Sequence, residues 1–218
     1  MTMYIAMWSD WLPSLLMGLK LSLQVCGVSL ALGIPFGLVL ALGVRSRFRL
    51  VKSCMLVLVE IGRGAPALIL LQFAYYGLPS AGLTLTSFAA AVLGLAVCTG
   101  AYTSEIIRGG LEAVPQGQKE AAEAIGLTRW ESLRFIVLPQ GLLVALPPLL
   151  GFSISILQAT SLCFAIALPE LVSQAYSIGA DTFLYMPALI LAGLIYAAIC
   201  MPSTAAVGAL ERRLSKHA

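Results

Sequence analysis

Long apolar runs separated by short polar stretches dominate the chain. Five of these runs are long enough for a membrane helix, which needs about 20 consecutive apolar residues. The predicted spans cover residues 12–44, 55–78, 83–107, 133–157 and 182–207. Residues 158–181 contain an apolar part too short to cross, interrupted by Glu170 and Gln174, so we expect a re-entrant or interfacial element there. The pattern predicts an all-α membrane protein with five transmembrane helices.

Composition supports the same class. The 218 residues are 60% hydrophobic and 11% charged, whereas soluble domains carry about 25% charged residues. The mean hydropathy is +0.96. A soluble globular domain is therefore excluded, and the length suits one domain over residues 12–210 followed by a tail at 211–218. The first apolar run exceeds a signal-peptide core, so we expect it to be retained as a helix.

Basic residues set the predicted orientation, because short cytoplasmic loops are enriched in Lys and Arg. Residues 45–52 hold four basic residues and no acidic ones. Of the 13 Lys and Arg residues, 11 fall in three segments that this rule places inside. They are Arg45, Arg47, Arg49, Lys52, Arg108, Lys119, Arg129, Arg134, Arg212, Arg213 and Lys216. The N-terminus is predicted outside and the C-terminus in the cytoplasm.

Helix-breaking residues and charges occur together in the second span. The sequence VEIGRGAP, residues 59–66, predicts a break. Glu60 and Arg63 are three residues apart and can pair on one helix face; a direct role in gating is the alternative. The fourth span is expected to break at Pro139 and again at residues 147–148.

The third span carries polar residues near its predicted cytoplasmic end. Glu105 and Arg108 are three residues apart and can form a structural ion pair. Alternatively, Tyr102 and Glu105 face a route through the membrane. Both interpretations remain open from the sequence.

The longest polar stretch, residues 112–139, separates the third and fourth spans. Pro115 suits a helix start and Gly126 a helix end, which predicts a short helix over about 115–126. Its many alanines leave a nearly smooth surface that another protein could approach closely. It lacks the large apolar face of a helix lying on lipid. We therefore interpret it as a docking helix.

A specific motif lies in this stretch. Glu120-Ala121-Ala122, three residues, Gly126, nine residues, Ile136, one residue and Leu138-Pro139 follow one another without a gap. This resembles the EAA signature of ABC importer permeases. Residues 100–140 resemble the polar amino acid uptake family of histidine-, glutamine- and arginine-type permeases. The RGAP sequence, with Ala65 where that family has Thr, and TSL at 160–162 also match it. The resemblance covers about residues 15–212.

The resemblance implies a type I ABC importer permease in a bacterial cytoplasmic (inner) membrane, spanning the lipid several times. Glu120, Ala121, Ala122 and Gly126 would couple it to an ATP-binding subunit. The implied partners are two such subunits, a second permease subunit (the same chain or a paralogue), an extracellular or periplasmic substrate-binding protein and an amino acid substrate. No nucleic-acid partner is expected. The chain has no GxxxxGK[ST] motif, so it is expected to be non-catalytic and to bind no cofactor, with ATP and Mg on the partner ATPase subunits.

One departure from the family concerns the substrate. Family members commonly carry Lys-Asp before TSL, and this chain has Gln158 and Ala159. The resemblance implies that an ion-pairing pair is missing here. Gln158, Thr160 and Ser161 either hydrogen-bond a substrate or cap the backbone at this turn.

Two other classes are weighed against a permease. A self-sufficient ion-coupled carrier or channel is suggested by Glu60, Arg63 and Glu105 in apolar surroundings. An intramembrane enzyme would need a nucleophile and a base or a metal site. The one histidine is His217, near the C-terminus, and the five cysteines are scattered. We therefore expect neither a catalytic pair nor a metal site, and the carrier or channel is the alternative that remains.

Overall fold

The protein is represented by a computed structural model, which describes the backbone of residues 2–214 and the side chains of residues 7–214. Within this range the regular elements are helices joined by short turns. The α-helices are α1 Thr2–Val44, α2 Arg49–Gly64, α3 Ala67–Gln72, α4 Ser87–Glu112, α5 Gln116–Ala124, α6 Arg129–Ser132, α7 Leu138–Ala159, α8 Leu171–Thr182 and α9 Tyr185–Leu214. The predicted fold class is confirmed.

Four helical stretches are long and apolar enough to cross a membrane. They are Met7–Val44, Ser87–Glu112, Arg129–Ile166 and Tyr185–Leu214. The fifth span is a bent pair, Arg49–Gly64 with Ala67–Ala81, whose halves meet at 104°. Five spans result if this pair is counted as one. The orientation of the spans in the membrane remains a prediction.

The bend in the second span lies at Ala65 and Pro66, within the predicted break. Ala65 has φ −79° and ψ 131°, an extended conformation. The residue before a proline is pushed out of the helical region by the proline ring, so α2 ends here. Beyond Pro66, α3 continues through a π-helical turn at Phe73–Gly77 and a 3-10 turn at Leu78–Ala81.

Helix α1 is longer than predicted. It has 43 residues, about 64 Å at 1.5 Å per residue, and begins well before residue 12. Its early part is held by packing: Trp11 and Leu15 share a buried cluster with Leu171 of α8 and Leu191 of α9. This tertiary contact extends the helix through a region that the apolar run alone did not include.

The central contact of the fold is between α1 and α4. Gly33 and Gly37 of α1 lie against Thr99 and Thr103 of α4, and a Cβ on either glycine would clash with the facing threonine. Small residues allow membrane helices to approach this closely, and the close approach supplies the van der Waals contact that joins them. Helices α2, α3 and α7 pack against α4, and α8 packs against α1, so this pair forms the core of the fold.

The fourth span differs from its prediction at one of two prolines. Before Pro139, residues Leu133–Val137 form a π-helical turn, the kind of local adjustment that accommodates a proline. The second expected break is wrong, because α7 runs through residues 147–148. Ala145 and Leu149 pack with Ile107 and Leu111 of α4, and this packing holds the helix on both sides of the prolines.

Residues 160–182 form a short non-crossing element. A 3-10 helix at Thr160–Ile166 turns at Ala167, and α8 follows with 12 residues, too few to span a bilayer. Helix α9 then continues to Leu214, beyond the predicted end at 207 and into the predicted tail. Lys216 and His217 lie outside the described residues.

Candidate functional site: a connecting helix and a charged cavity

The connecting helix α5 ends in a Schellman motif centred on Gly126. Gly126 has φ +82°, its N–H donates to Glu123 O at 3.0 Å, and the N–H of Leu127 donates to Ala122 O at 3.0 Å. This pair of bonds satisfies carbonyls that a helix end leaves free. The motif requires a residue with left-handed backbone angles at this position, and glycine adopts that conformation without steric cost.

Most of α5 is exposed. Ala122 is buried against its own chain at 3% exposure, whereas Glu120, Ala121 and Gly126 are exposed. Beside them, Ile125 is 75% exposed. Of the four residues predicted to contact an ATP-binding subunit, Ala122 anchors the helix and the other three are presented outward.

A four-residue ion cluster lies between α2 and the end of α4. Arg108 contacts Glu105 at 2.6 Å and Glu112 at 2.9 Å, so the Glu105–Arg108 contact expected from spacing is present. Arg63 contacts Glu105 at 3.6 Å. The Glu60–Arg63 pair is not formed: Arg63 reaches across to α4, where Glu105 offers a charge that is also held by Arg108.

The ion cluster borders an open cavity of about 760 Å³. Its other charged lining residues are Arg45, Lys52, Glu60 and Lys119, none of which has an ion pair within the described part of the chain. One face of α2 lines the cavity with three residues at intervals of four: Lys52, Leu56 and Glu60. Charged residues in a membrane helix normally face a water-filled cavity or a partner, and this cavity contains both signs of charge.

Tyr102 links three helices beside the cluster. Its ring stacks on Phe152 of α7 with centroids 5.3 Å apart. Its hydroxyl donates to Arg63 O at 3.4 Å, and the Arg63 guanidinium lies 6.0 Å from the ring centroid. Tyr102 and Glu105 therefore both contact Arg63 at the bend of the second span.

The residues around TSL lie apart from this cavity. Thr160 is buried and donates to Leu157 O at 2.7 Å, and Ser161 donates to Gln158 O at 2.7 Å. These contacts favour the backbone-capping interpretation for both hydroxyls. The Gln158 side chain is exposed, so it is the member of the trio that remains open to a ligand.

Glu170 is a buried residue that the sequence did not single out. It is fully buried, and its carboxylate accepts the N–H groups of Val172 at 2.9 Å and Ser173 at 2.8 Å at the start of α8. Burial raises the pKa of Glu170 to about 6. Ser, Thr, Asp and Asn are the usual residues at this position, so a Glu gives little signal there.

These features define a class. Five apolar helical spans, a polar cavity between two of them, and an exposed connecting helix between the third and fourth spans describe a membrane-embedded transport component. Residues 33–216 match the family described as "Binding-protein-dependent transport system inner membrane component". The chain belongs to this family and is a transmembrane permease subunit of an ABC importer; such subunits are non-catalytic, and separate subunits hydrolyse ATP.

Similar proteins agree with this assignment. The chain is 37% identical over 199 residues to "Probable glutamine ABC transporter permease protein GlnP" of Bacillus subtilis (strain 168), covering 90% of this chain and 91% of the relative. It is 34% identical over 205 residues to "Probable amino-acid ABC transporter permease protein YckA" of the same organism, covering 94% and 91%. A solved structure described as "Crystal structure of an amino acid ABC transporter with histidines" matches with TM-score 0.90 and 30% identity, covering 96% of this chain and 98% of that one.

Proposed function

We propose that this permease subunit imports a polar amino acid or a related compound across the bacterial cytoplasmic membrane, driven by ATP hydrolysis in two separate subunits. The observation that carries this proposal is α5, an exposed helix fixed in shape by Gly126 and anchored to its own chain by Ala122. The names of the similar permeases support amino acids as the solute class.

In this proposal α5 docks in a groove of an ATP-binding subunit. Ala121 and Gly126 allow close approach, and Glu120 adds a charge at the rim. The ATP and Mg would be held entirely by the partner subunits. When two ATP-binding subunits close, the α5 helices of two permease chains move together.

The ion cluster offers a route from docking to the membrane. Glu112 is the last residue of α4, and the short link to α5 follows it. From Glu112 the contacts continue through Arg108 and Glu105 to Arg63, beside the bend of the second span. Movement of α5 would reach that bend through these charges, and the charged cavity would then be the cytoplasmic mouth of the pathway.

The substrate would be held without an ion pair from this chain at the TSL turn. Gln158 offers an amide, which binds neutral polar groups through one acceptor and two donors. Recognition of a charged solute would then fall to the second permease subunit or to the substrate-binding protein. We propose that the binding protein delivers the solute on the side where the N-terminus lies.

A reconstituted importer tests the docking assignment. We expect Glu120→Lys with Gly126→Asp to abolish ATP-dependent uptake and co-purification of the ATP-binding subunit, while the chain still inserts. Glu211→Lys, the same charge reversal on the exposed end of α9, is the matched control and should transport normally. Normal transport by the double variant would overturn the docking assignment. Solute flux in liposomes that contain this chain alone, without ATP, would instead favour an ion-coupled carrier or channel.

A further inference from the structure

A second polar cluster is buried away from the charged cavity. It consists of Ser22 on α1, Thr160 after α7, Glu170 at the start of α8 and Tyr196 on α9. Ser22, Thr160 and Glu170 are each 0% exposed. Buried polar groups are costly unless they are hydrogen-bonded, so their mutual arrangement is constrained.

The Glu170 carboxylate is bonded on both oxygens. Oε1 accepts from Ser173 N at 2.8 Å, and Oε2 accepts from Val172 N at 2.9 Å. The Tyr196 hydroxyl also donates to Oε2, at 3.4 Å. No cation pairs with this carboxylate within residues 7–214, so its charge is balanced by the N–H groups of α8 and one hydroxyl.

Tyr196 bridges Glu170 to the TSL turn. Its hydroxyl lies 3.1 Å from Thr160 Oγ1. Because the Tyr196 proton points to Glu170, Thr160 is the donor in this contact, and it shares its one proton between Tyr196 Oη and Leu157 O at the end of α7. Glu170 is therefore joined through two hydroxyls to the turn that carries the exposed Gln158. The same turn bears the Ser161 hydroxyl bond to the Gln158 carbonyl.

Helix α1 limits the movement of Glu170 from the other side. A Cβ on Gly18 would lie 2.9 Å from the Glu170 carbonyl carbon, closer than real Cβ contacts allow. The Ser22 hydroxyl accepts the N–H of Leu171 at 3.4 Å. The start of α8 therefore packs directly on α1, which restricts movement of Glu170 relative to Tyr196.

We propose that Glu170 is a positioning residue for transport, which acts through Tyr196 and Thr160 to hold the turn that presents Gln158 to the passing solute. This inference rests on the proposed function of the chain as an amino acid permease. If the bridge were lost, the turn would hold the solute less well, and some ATP would be hydrolysed without import of solute.

The bridge should respond to pH. The titratable groups facing Glu170 are the Tyr196 phenol on α9 and the Cys163 thiol of the 3-10 segment, which is close enough to interact with its charge; α1 contributes the Ser22 hydroxyl. Because burial raises the pKa of Glu170 to about 6, the carboxylate becomes protonated as pH falls below that value. On protonation one carboxyl oxygen becomes an O–H donor and a weaker acceptor, so at least one of the three bonds to the carboxylate is weakened or reversed.

The test measures solute imported per ATP hydrolysed by the complete importer in proteoliposomes. We expect Glu170→Gln and Tyr196→Phe each to lower this ratio about fivefold at pH 7.5, as loss of one buried hydrogen bond would. The double variant should be no worse than either single one, since both remove the same bridge. Tyr185→Phe, which removes a hydroxyl without a hydrogen bond in residues 7–214, is the control and should match wild type.

A pH series separates positioning from a purely structural role. The wild-type ratio should fall between about pH 7.5 and pH 5.5, whereas Glu170→Gln should be low and flat over this range. A structural role alone would lower uptake and ATP hydrolysis in proportion, leaving the ratio unchanged, and that result would overturn the inference. If wild type itself shows no ATP-dependent amino acid import, the proposed function fails instead.

Discussion

Arg63 of α2 and Glu105 of α4 are joined across two helices at 3.6 Å, beside the bend of the second span. Glu105 is also held by Arg108 at 2.6 Å. The bend, the end of α4 and the link to α5 thus share one carboxylate. Glu105 is the residue of this cluster whose removal leaves two arginines without their common partner.

Double-mutant cycles should locate this pairing. The Arg63 side chain is 39% exposed, so solvent screening limits the Arg63–Glu105 coupling to about 0.5 kcal/mol. Removing both charges with Arg63→Gln and Glu105→Gln should show this coupling in thermal unfolding of the purified chain. The matched cycle of Arg63→Gln with Glu60→Gln should show none. A larger coupling to Glu60 than to Glu105 would contradict the structure.

Two adjacent glycines of α4 should respond in opposite directions. A Cβ on Gly110 would clash with Gly141 O of α7, whereas a Cβ on Gly109 meets nothing within 4 Å. Gly110→Ala should therefore destabilise the chain by about 3 kcal/mol through overpacking. Gly109→Ala, in an exposed helical position, should stabilise it by up to about 1 kcal/mol. Equal unfolding temperatures for the two variants would refute this close approach of α4 and α7.

Substitutions at Gly126 can distinguish its role in the backbone conformation of α5 from a role in docking. A Cβ there meets nothing within 4 Å, and the residue has φ +82°, so a substitution in the isolated chain is penalised by its backbone alone. Gly126→Asn should cost only a few tenths of a kcal/mol and Gly126→Val about 2 kcal/mol, because asparagine tolerates left-handed conformations. Thermal unfolding of the isolated chain measures both.

The same Gly126 variants test contact with the partner. If an ATP-binding subunit lies against Gly126, Gly126→Asn should keep the chain stable and still lose co-purification of that subunit. Gly117→Ala on the same helix, where a Cβ also meets nothing within 4 Å, should keep both. Retained co-purification in Gly126→Asn would show that this residue only shapes the helix.

Cysteine labelling tests the predicted orientation. Cys54 is exposed on α2, and Cys26, Cys98, Cys163 and Cys200 are buried. A membrane-impermeant maleimide should label Cys54 in inside-out vesicles and not in right-side-out cells, because the basic loop before it is predicted to be cytoplasmic. Ser80→Cys in a variant without Cys54, at the opposite end of the second span, should give the reverse pattern. Labelling of both positions from one side would refute this path for the span.

The sequence predicted the spans and the connecting helix because both depend on local pattern. An apolar run determines its own helix, and Pro115 and Gly126 determine the start and end of a helix only a few residues away. Pairing of Arg63 was wrong because a spacing rule considers only the residue's own helix, and Glu105 comes from another. Continuity of α7 through residues 147–148 was missed because packing on α4, rather than local propensity, maintains it.

Glu170 shows a further limit of the same kind. A lone acidic residue in a weakly apolar segment resembles a surface position. Its burial arises only when α1, α8 and α9 assemble around it, and its bonds go to backbone N–H groups and to Tyr196. No sequence spacing connects residue 170 to residue 196.

The small residues along α1 have a consequence for how related chains can vary. Gly18 faces the Glu170 turn, and Gly33 and Gly37 face Thr99 and Thr103 of α4. Inserting or deleting one residue between Gly18 and Gly33 would rotate Gly18 by about 100° around the helix relative to Gly33 and Gly37. A larger side chain would then lie where only the hydrogen of a glycine fits. Related permeases that keep this packing should therefore align without gaps across residues 18–37, even where the amino acids themselves have diverged.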